Sequence, residues 1–255
     1  MAPLSAVIIT YNEEKNIARC IESVRTVADE IIIVDSFSTD ATENICKNAG
    51  ATFIQHPFKG HIEQKNFALS QANHDCILSL DADEALSPEL AAGIAAVKEN
   101  WQHDGYLFNR LTSYCGQWIR HCGWYPDPKV RLFDRRKASW GGINPHDKII
   151  MAQEATTQHI PGDLLHYTFN SIAEHIAQIN TFSEIKAEGL FQKGKRLNLL
   201  RLILEPLLKF LKGYVLKAGF LDGWYGLIIC TNSAHATFLR YAKLYEKTRT
   251  ARDKK

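Results

Sequence analysis

No glycine-rich phosphate loop follows the first apolar run of this chain; neither G-x-G-x-x-G nor the Walker pattern occurs there. That argues against a dinucleotide oxidoreductase and a P-loop nucleotidase. No two cysteines are spaced C-x-x-C, and the six at 20, 46, 76, 115, 122 and 230 are scattered. The pattern suits reduced thiols better than a disulfide framework or a structural zinc site. Low-complexity segments and internal repeats are also missing. The opening MAPLSAVIITYNEE has no basic region ahead of an apolar stretch of signal-peptide length, so a cytoplasmic location is expected. Net charge is small too, at +2, but the average hides a division. Residues 1–192 carry 16 Lys and Arg against 24 Asp and Glu, whereas residues 193–255 carry 14 against 4. An acidic body with a basic tail predicts an anionic partner for the tail, such as lipid head groups or nucleic acid.

With 255 residues and 45% hydrophobic composition, the chain has material for one sizeable domain and an appendage. Short apolar runs alternate with helical patterns through the first hundred residues. Strands are expected at 5–10, 30–35, 51–54 and 76–80. Helices are expected over 12–27, from Thr39 or Asp40 to Asn48, over 61–72, and from Ser87-Pro88 onward, where an N-cap precedes an N1 proline. Continuously apolar strands alternating with helices predict an α/β fold with a mostly parallel sheet covered on both faces. Ligands of such sheets bind beyond the carboxyl ends of the strands. From about 104 to 152 the rhythm becomes β-type, with runs at 105–110, 129–134 and 148–150 and several interspersed aromatics. This region has the composition of a ligand wall.

Residues 171–192 read as a helix, and RLNLLRLILEPLLKFLKGYVL (196–216) follows. At about 100° per residue, Arg201, Glu205, Lys209 and Lys212 share a narrow arc and the leucines fill the rest. Four charges argue against a spanning helix, and Pro206 is expected to break or start one. A helix lying in the membrane interface fits better than a core helix with a solvated stripe, given the basic excess. The division expected is therefore residues 1–192 as one domain and 193–255 as a basic, amphipathic helical extension. Nucleic acid is the poorer partner, because the polar stripe is narrow and the apolar face broad.

Polar residues gather at the expected strand ends: Thr10-Tyr11-Asn12-Glu13, Asp35-Ser36, and Asp81-Ala82-Asp83-Glu84. Residues two apart in an extended segment share a face, so Asp81 and Asp83 can point into one crevice. Carboxylates this close repel unless something positive lies between them.

The segments SAVIITYNEEKNI, IIIVDSFSTDAT and ILSLDADEAL, in this order and spacing, resemble the family 2 glycosyltransferases, nucleotide-sugar enzymes of the GT-A fold. GQWIRHCGWYPDPKVRLFDR, WGGINPHDK and the segment from Gly219 onward are similar to the branch containing lipopolysaccharide-core β-1,4-glucosyltransferases. The resemblance implies an inverting transfer of a hexose, glucose first among them, from a UDP-sugar to a glycolipid or lipopolysaccharide-core acceptor at the inner face of the cytoplasmic membrane. It implies a divalent cation, Mg²⁺ or Mn²⁺, which offsets the charge developing on the diphosphate. Asp83 is the implied cation ligand and Asp81 the ribose contact. Asp35 is implied to accept from the uracil N–H, although relatives often have two acids where this chain has Asp35-Ser36. Thr10, Tyr11 and Glu13 would complete the nucleoside pocket, and Lys65 and Arg131 would meet phosphate. His146 would join the metal or the diphosphate, and Trp124 or Tyr125 would stack on a sugar.

Inversion requires a general base opposite the leaving group. Asp147, Asp127 and Glu84 are candidates; the resemblance favours Asp147, then Asp127. The alternative to an enzyme is a non-catalytic nucleotide-sugar-binding scaffold of the same fold, which would lack an acid facing the donor.

Overall fold

The computed structural model describes residues 2–144 and 146–253, with the backbone only at His146 and residues 252–253. Four strands, β1 (Leu4–Thr10), β2 (Glu30–Asp35), β3 (Thr52–Gln55) and β4 (Cys76–Asp81), pair in parallel in the order β3-β2-β1-β4. The helices between them are α1 (Ile17–Val24), α2 (Thr42–Asn48) and α3 (His61–Gln71). β1, β2 and β4 are largely apolar because both faces are covered, whereas the edge strand β3 exposes Thr52 and Gln55. Along β1, Leu4, Ala6 and Ile8 enter one core cluster while Val7 enters the other, following the two-residue alternation of a strand. The first cluster receives Ile17, Cys20, Ile21 and Val24 from one stripe of α1; the second receives Ala68 and Leu69 from α3.

After β4 come β5 (Glu84–Leu86), α4 (Pro88–Glu99), β6 (Gly105–Tyr114), β7 (Gln117–Ile119), β8 (Pro128–Asp134), β9 (Ala138–Ile143), β10 (His146–Met151) and β11 (Thr157–Phe169). Ser87 caps α4 as expected, its hydroxyl accepting from Leu90 N at 3.2 Å. The sheet continues β4-β8-β6-β11-β5, with β8 antiparallel to β4 and β6, and β5 antiparallel to β11. The α/β architecture is as expected. Its sheet is parallel through its first four strands and antiparallel where β8 meets β4 and β6 and where β5 meets β11, because the runs at 105–110 and 129–134 join the same sheet. β9 and β10 form a separate antiparallel hairpin.

Three helices complete the chain: α5 (Ile172–Gln192), α6 (Leu199–Leu211) and α7 (Gly223–Asp253). A π turn at Lys212–Leu216 and a 3₁₀ turn at Gly219–Asp222 join the last two. By packing, residues up to 111 together with 127–167 form one compact unit, and 112–126 with 168 onward form another. α5, which the sequence groups with residues 1–192, packs in the second unit alongside α6 and α7.

α6 differs from expectation at Pro206, which lies inside the helix without ending it. The proline removes one N–H from the helical ladder, yet the helix runs on to Leu211. α6 buries no residue; Leu199, Leu200, Ile203, Leu204, Leu207, Leu208 and Leu211 are each 42–68% exposed. No helix among the described residues is long and apolar enough to cross a membrane.

Candidate active site

The parallel register brings three strand ends level: Thr10 lies opposite Asp35, and Ile9 opposite Asp81. Beyond β1 the chain turns at Asn12, whose positive φ of 54° suits asparagine. The Asn12 side chain accepts from Thr39 N at 2.8 Å, tying this loop to the one after β2. The turn also delays α1, expected from Asn12, until Ile17.

Asp35 is fully buried. Its carboxylate accepts from the Ser38 N–H at 2.8 Å and from the Ser38 hydroxyl, and so orders the loop after β2. Tyr11 is exposed, and Thr10 is buried with its hydroxyl unpartnered among the described residues. Glu13 accepts from Asn16 Nδ2 at 2.8 Å. Burial raises its carboxyl, and the charges of Asp83, Asp40 and Asp81 raise it further against the Asn16 hydrogen bond.

Next to these ends runs a chain of alternating charges. Asp147 meets Lys65 Nζ at 2.8 Å, and Lys65 meets Asp81 at 2.9 Å. Asp81 meets Arg131 Nη2 at 3.1 Å, and Arg131 meets Glu84 at 2.8 Å. Glu84 lies 3.7 Å from Arg110, which holds Asp127 at 2.9 Å, and Lys129 closes the series on Asp127 at 2.8 Å. Four acids alternate with four bases, so the cluster is neutral although much of it is buried. Burial alone would raise the Asp81 carboxyl, but Lys65 and Arg131 outweigh it and hold it well below the ordinary carboxylate range. For Arg131, burial opposes the charge, and Glu84 and Asp81 restore it. Trp140 is the floor: Lys65 Nζ lies 4.1 Å and the Arg131 guanidinium 4.9 Å from its ring centre, and its Nε1 donates to Ser79 Oγ at 3.2 Å.

Asp83 stands outside this chain. Its carboxylate lies 3.2 Å from His166 Nε2, and its carbonyl accepts from Tyr167 N at 2.9 Å. The side chain is 23% exposed. The two residues meet because β5 pairs with β11 in the register His166 opposite Glu84.

Lys65, Asp81, Arg131, Asp147 and Asp127 are thus brought together, with Asp83 beside them. The side chain of His146 lies outside the described residues. Trp124 packs among the aromatics of the second unit, its ring centre 6.0 Å from that of Tyr114. His166 and Arg110 escaped the sequence reading. Neither lies in a recognisable motif, and only the pairing of distant strands reveals them.

A carboxylate and an imidazole at hydrogen-bonding distance are a donor set that suits Mn²⁺, and Mg²⁺ with more water or phosphate oxygen. Asp81 and Glu84 are already neutralised by protein cations. Asp83 and His166 therefore remain as two donors that suit a divalent cation whose other ligands come from phosphate and water, since no group of three or more such side chains gathers among the described residues.

The chain is 34% identical to an uncharacterized glycosyltransferase of Rickettsia typhi, over 99% of this chain and 90% of that protein. It is 31% identical to the lipopolysaccharide core biosynthesis glycosyltransferase LpsC of Rhizobium meliloti, over 96% of this chain and 93% of the relative. Among solved structures, glucosyl-3-phosphoglycerate synthase from Mycobacterium tuberculosis, in complex with Mn²⁺, UDP and glucosyl-3-phosphoglycerate, is a distant likeness. It has a TM-score of 0.37 and 23% identity over 44% of each chain. Residues 5–155, which span the aligned strand ends and the whole charge chain, match glycosyl transferase family 2, and the chain belongs to that family.

Proposed function

We propose that the protein is an inverting, divalent-cation-dependent transferase that moves a hexose, glucose in the first instance, from a UDP-sugar to a lipopolysaccharide-core or similar glycolipid acceptor. The observation that carries this reading is the division of labour among three neighbouring carboxylates. Asp81 and Glu84 are neutralised by Lys65 and Arg131, while Asp83 keeps a partly exposed carboxylate beside His166. Full-length similarity to LpsC supports the glycolipid acceptor.

Asp83 and His166 hold the cation, with His146 joining it or the diphosphate. When bound, the cation offsets the negative charge that the diphosphate gains as the glycosidic bond breaks. Thr10, Tyr11 and Glu13 frame the nucleoside. Asp35 shapes that pocket through Ser38 and reaches the base only when Ser38 turns away. Asp81 approaches the ribose, and Lys65 and Arg131 attract the diphosphate. Lys65 is shared between Asp81 and Asp147. A diphosphate that draws its ammonium away leaves Asp147 able to take the proton of the acceptor hydroxyl. Asp127, held by Arg110 and Lys129, is the second candidate.

The exposed leucines of α6 and the basic excess of residues 193–255 support attachment to an anionic membrane at its cytoplasmic face. A donor screen measuring UDP release from UDP-hexoses, with glycolipid extract and with or without Mn²⁺, tests the reading. Acceptor-dependent release that requires the cation is expected; release from no UDP-sugar would refute it.

A further inference from the structure

A cavity of about 230 Å³ lies among α5, α6 and α7. Each helix contributes one cation to its lining, Lys186, Lys209 and Arg240, and no carboxylate lines it. Some basic side chains of this unit are neutralised. Lys243 lies 3.5 Å from Glu184, and Lys247 lies 2.7 Å from Glu184 and 2.9 Å from Glu188. Lys186 and Lys209, like Lys193, Lys195, Lys212 and Lys217, have no ion pair among the described residues, but only these two line the cavity beside Arg240. Arg240 is half engaged: its Nη2 meets Glu205 at 2.9 Å, while its Nε is buried with no partner among the described residues. Glu205 offsets one charge at Arg240, and the two lysine ammonium groups leave the cavity net positive, which favours an anion. A guanidinium fork with two ammonium groups matches the several oxygens of a phosphate better than a lone carboxylate. Ile179 and Phe182 complete the wall and suit the apolar part of such a ligand.

We propose that this cavity binds the head-group phosphate of an anionic lipid in the membrane on which α6 rests. The inference depends on the membrane reading above. α6 joins the two: Lys209 lines the cavity, whereas Leu200, Leu207 and Leu208 of the same helix are exposed.

Co-sedimentation of the full chain with phosphatidylcholine vesicles, with and without phosphatidic acid, tests it. Lys186→Ala/Lys209→Ala should weaken binding to phosphatidic acid vesicles roughly tenfold or more, against about threefold at most for the charge-matched Lys193→Ala/Lys195→Ala. Ala236→Phe fills the cavity without changing charge and should weaken the same binding, with folding checked by thermal melting. Equal losses in the two double variants, or unchanged binding by a folded Ala236→Phe, would overturn the cavity and leave the membrane reading intact. Saturation by glycerol phosphate without vesicle binding would overturn the lipid source. A wild type that binds no vesicle would sink the membrane reading itself, and the inference with it.

Discussion

Asp81, Asp83 and Glu84 sit within four residues, yet their surroundings set them apart. Glu84 is buried against Arg131, Asp81 is shared between Arg131 and Lys65, and Asp83 faces His166. Removing Arg131 leaves Glu84 and Asp81 short of positive charge in a buried place. Arg131→Met should therefore destabilise the fold by about 3–5 kcal/mol in urea unfolding; a loss below about 1 kcal/mol would show that Arg110 and Lys65 suffice without it. At the same scale, Asp147→Asn should retain nucleotide binding while transfer slows about 10²–10⁴-fold, as for loss of a general base. Asp127→Asn should slow transfer far less, and the reverse order, measured as kcat, would exchange the two roles. The expectation that Asp81 and Asp83 share one face of an extended segment is not met, because β4 ends at Asp81 and the chain turns at Ala82-Asp83. His166 was not legible, because its place beside Asp83 is set by the register of β11 on β5, which no local pattern encodes.

Among the elements, the parallel strands and the α4 cap were legible because burial on both faces and capping chemistry are written in adjacent residues. α1 is shorter than its polar-apolar pattern implied because Asn12 takes a left-handed conformation and binds the loop after β2. α6 keeps its helix across Pro206 and turns its apolar face outward. Glu205 of its charged stripe meets α7, accepting from Arg240 Nη2 at 2.9 Å and from the Tyr241 hydroxyl at 2.5 Å, and Leu202 packs beside it against Tyr241 and Leu244. The wheel gave the two faces; which one packs inward depends on α7, whose partners lie far along the chain. Leu200→Asp/Leu207→Asp should leave the melting temperature nearly unchanged, since both side chains are exposed, and should abolish vesicle binding. A large fall in melting temperature would instead mean that these leucines support the fold.

For the whole molecule, charge is the organising quantity. Asp29, Glu30, Asp81, Asp104 and Asp134 all have carboxyl groups held below their ordinary range by hydrogen bonds or cations. Groups depressed in the folded state bind protons more readily when unfolded. Their stabilisation is therefore full above the unfolded values, at about pH 4, and is lost as pH falls through the folded ones. Glu13, raised by burial, acts in the opposite sense. In denaturant titrations, the stability difference between wild type and Asp81→Asn should be constant above about pH 5 and shrink below about pH 4; a difference that grows on acidification would contradict the ion pairing. The mixed sheet was less legible than the parallel half, since strand order across β8, β6 and β11 depends on long-range pairing. The most direct test of the site is calorimetric titration of the wild type, Asp83→Asn and His166→Ala with UDP, in the presence and absence of Mn²⁺. Mn²⁺ should tighten UDP binding to the wild type and leave both variants unaffected; Mn²⁺-enhanced binding that survives in Asp83→Asn would contradict the assignment of the cation to that carboxylate.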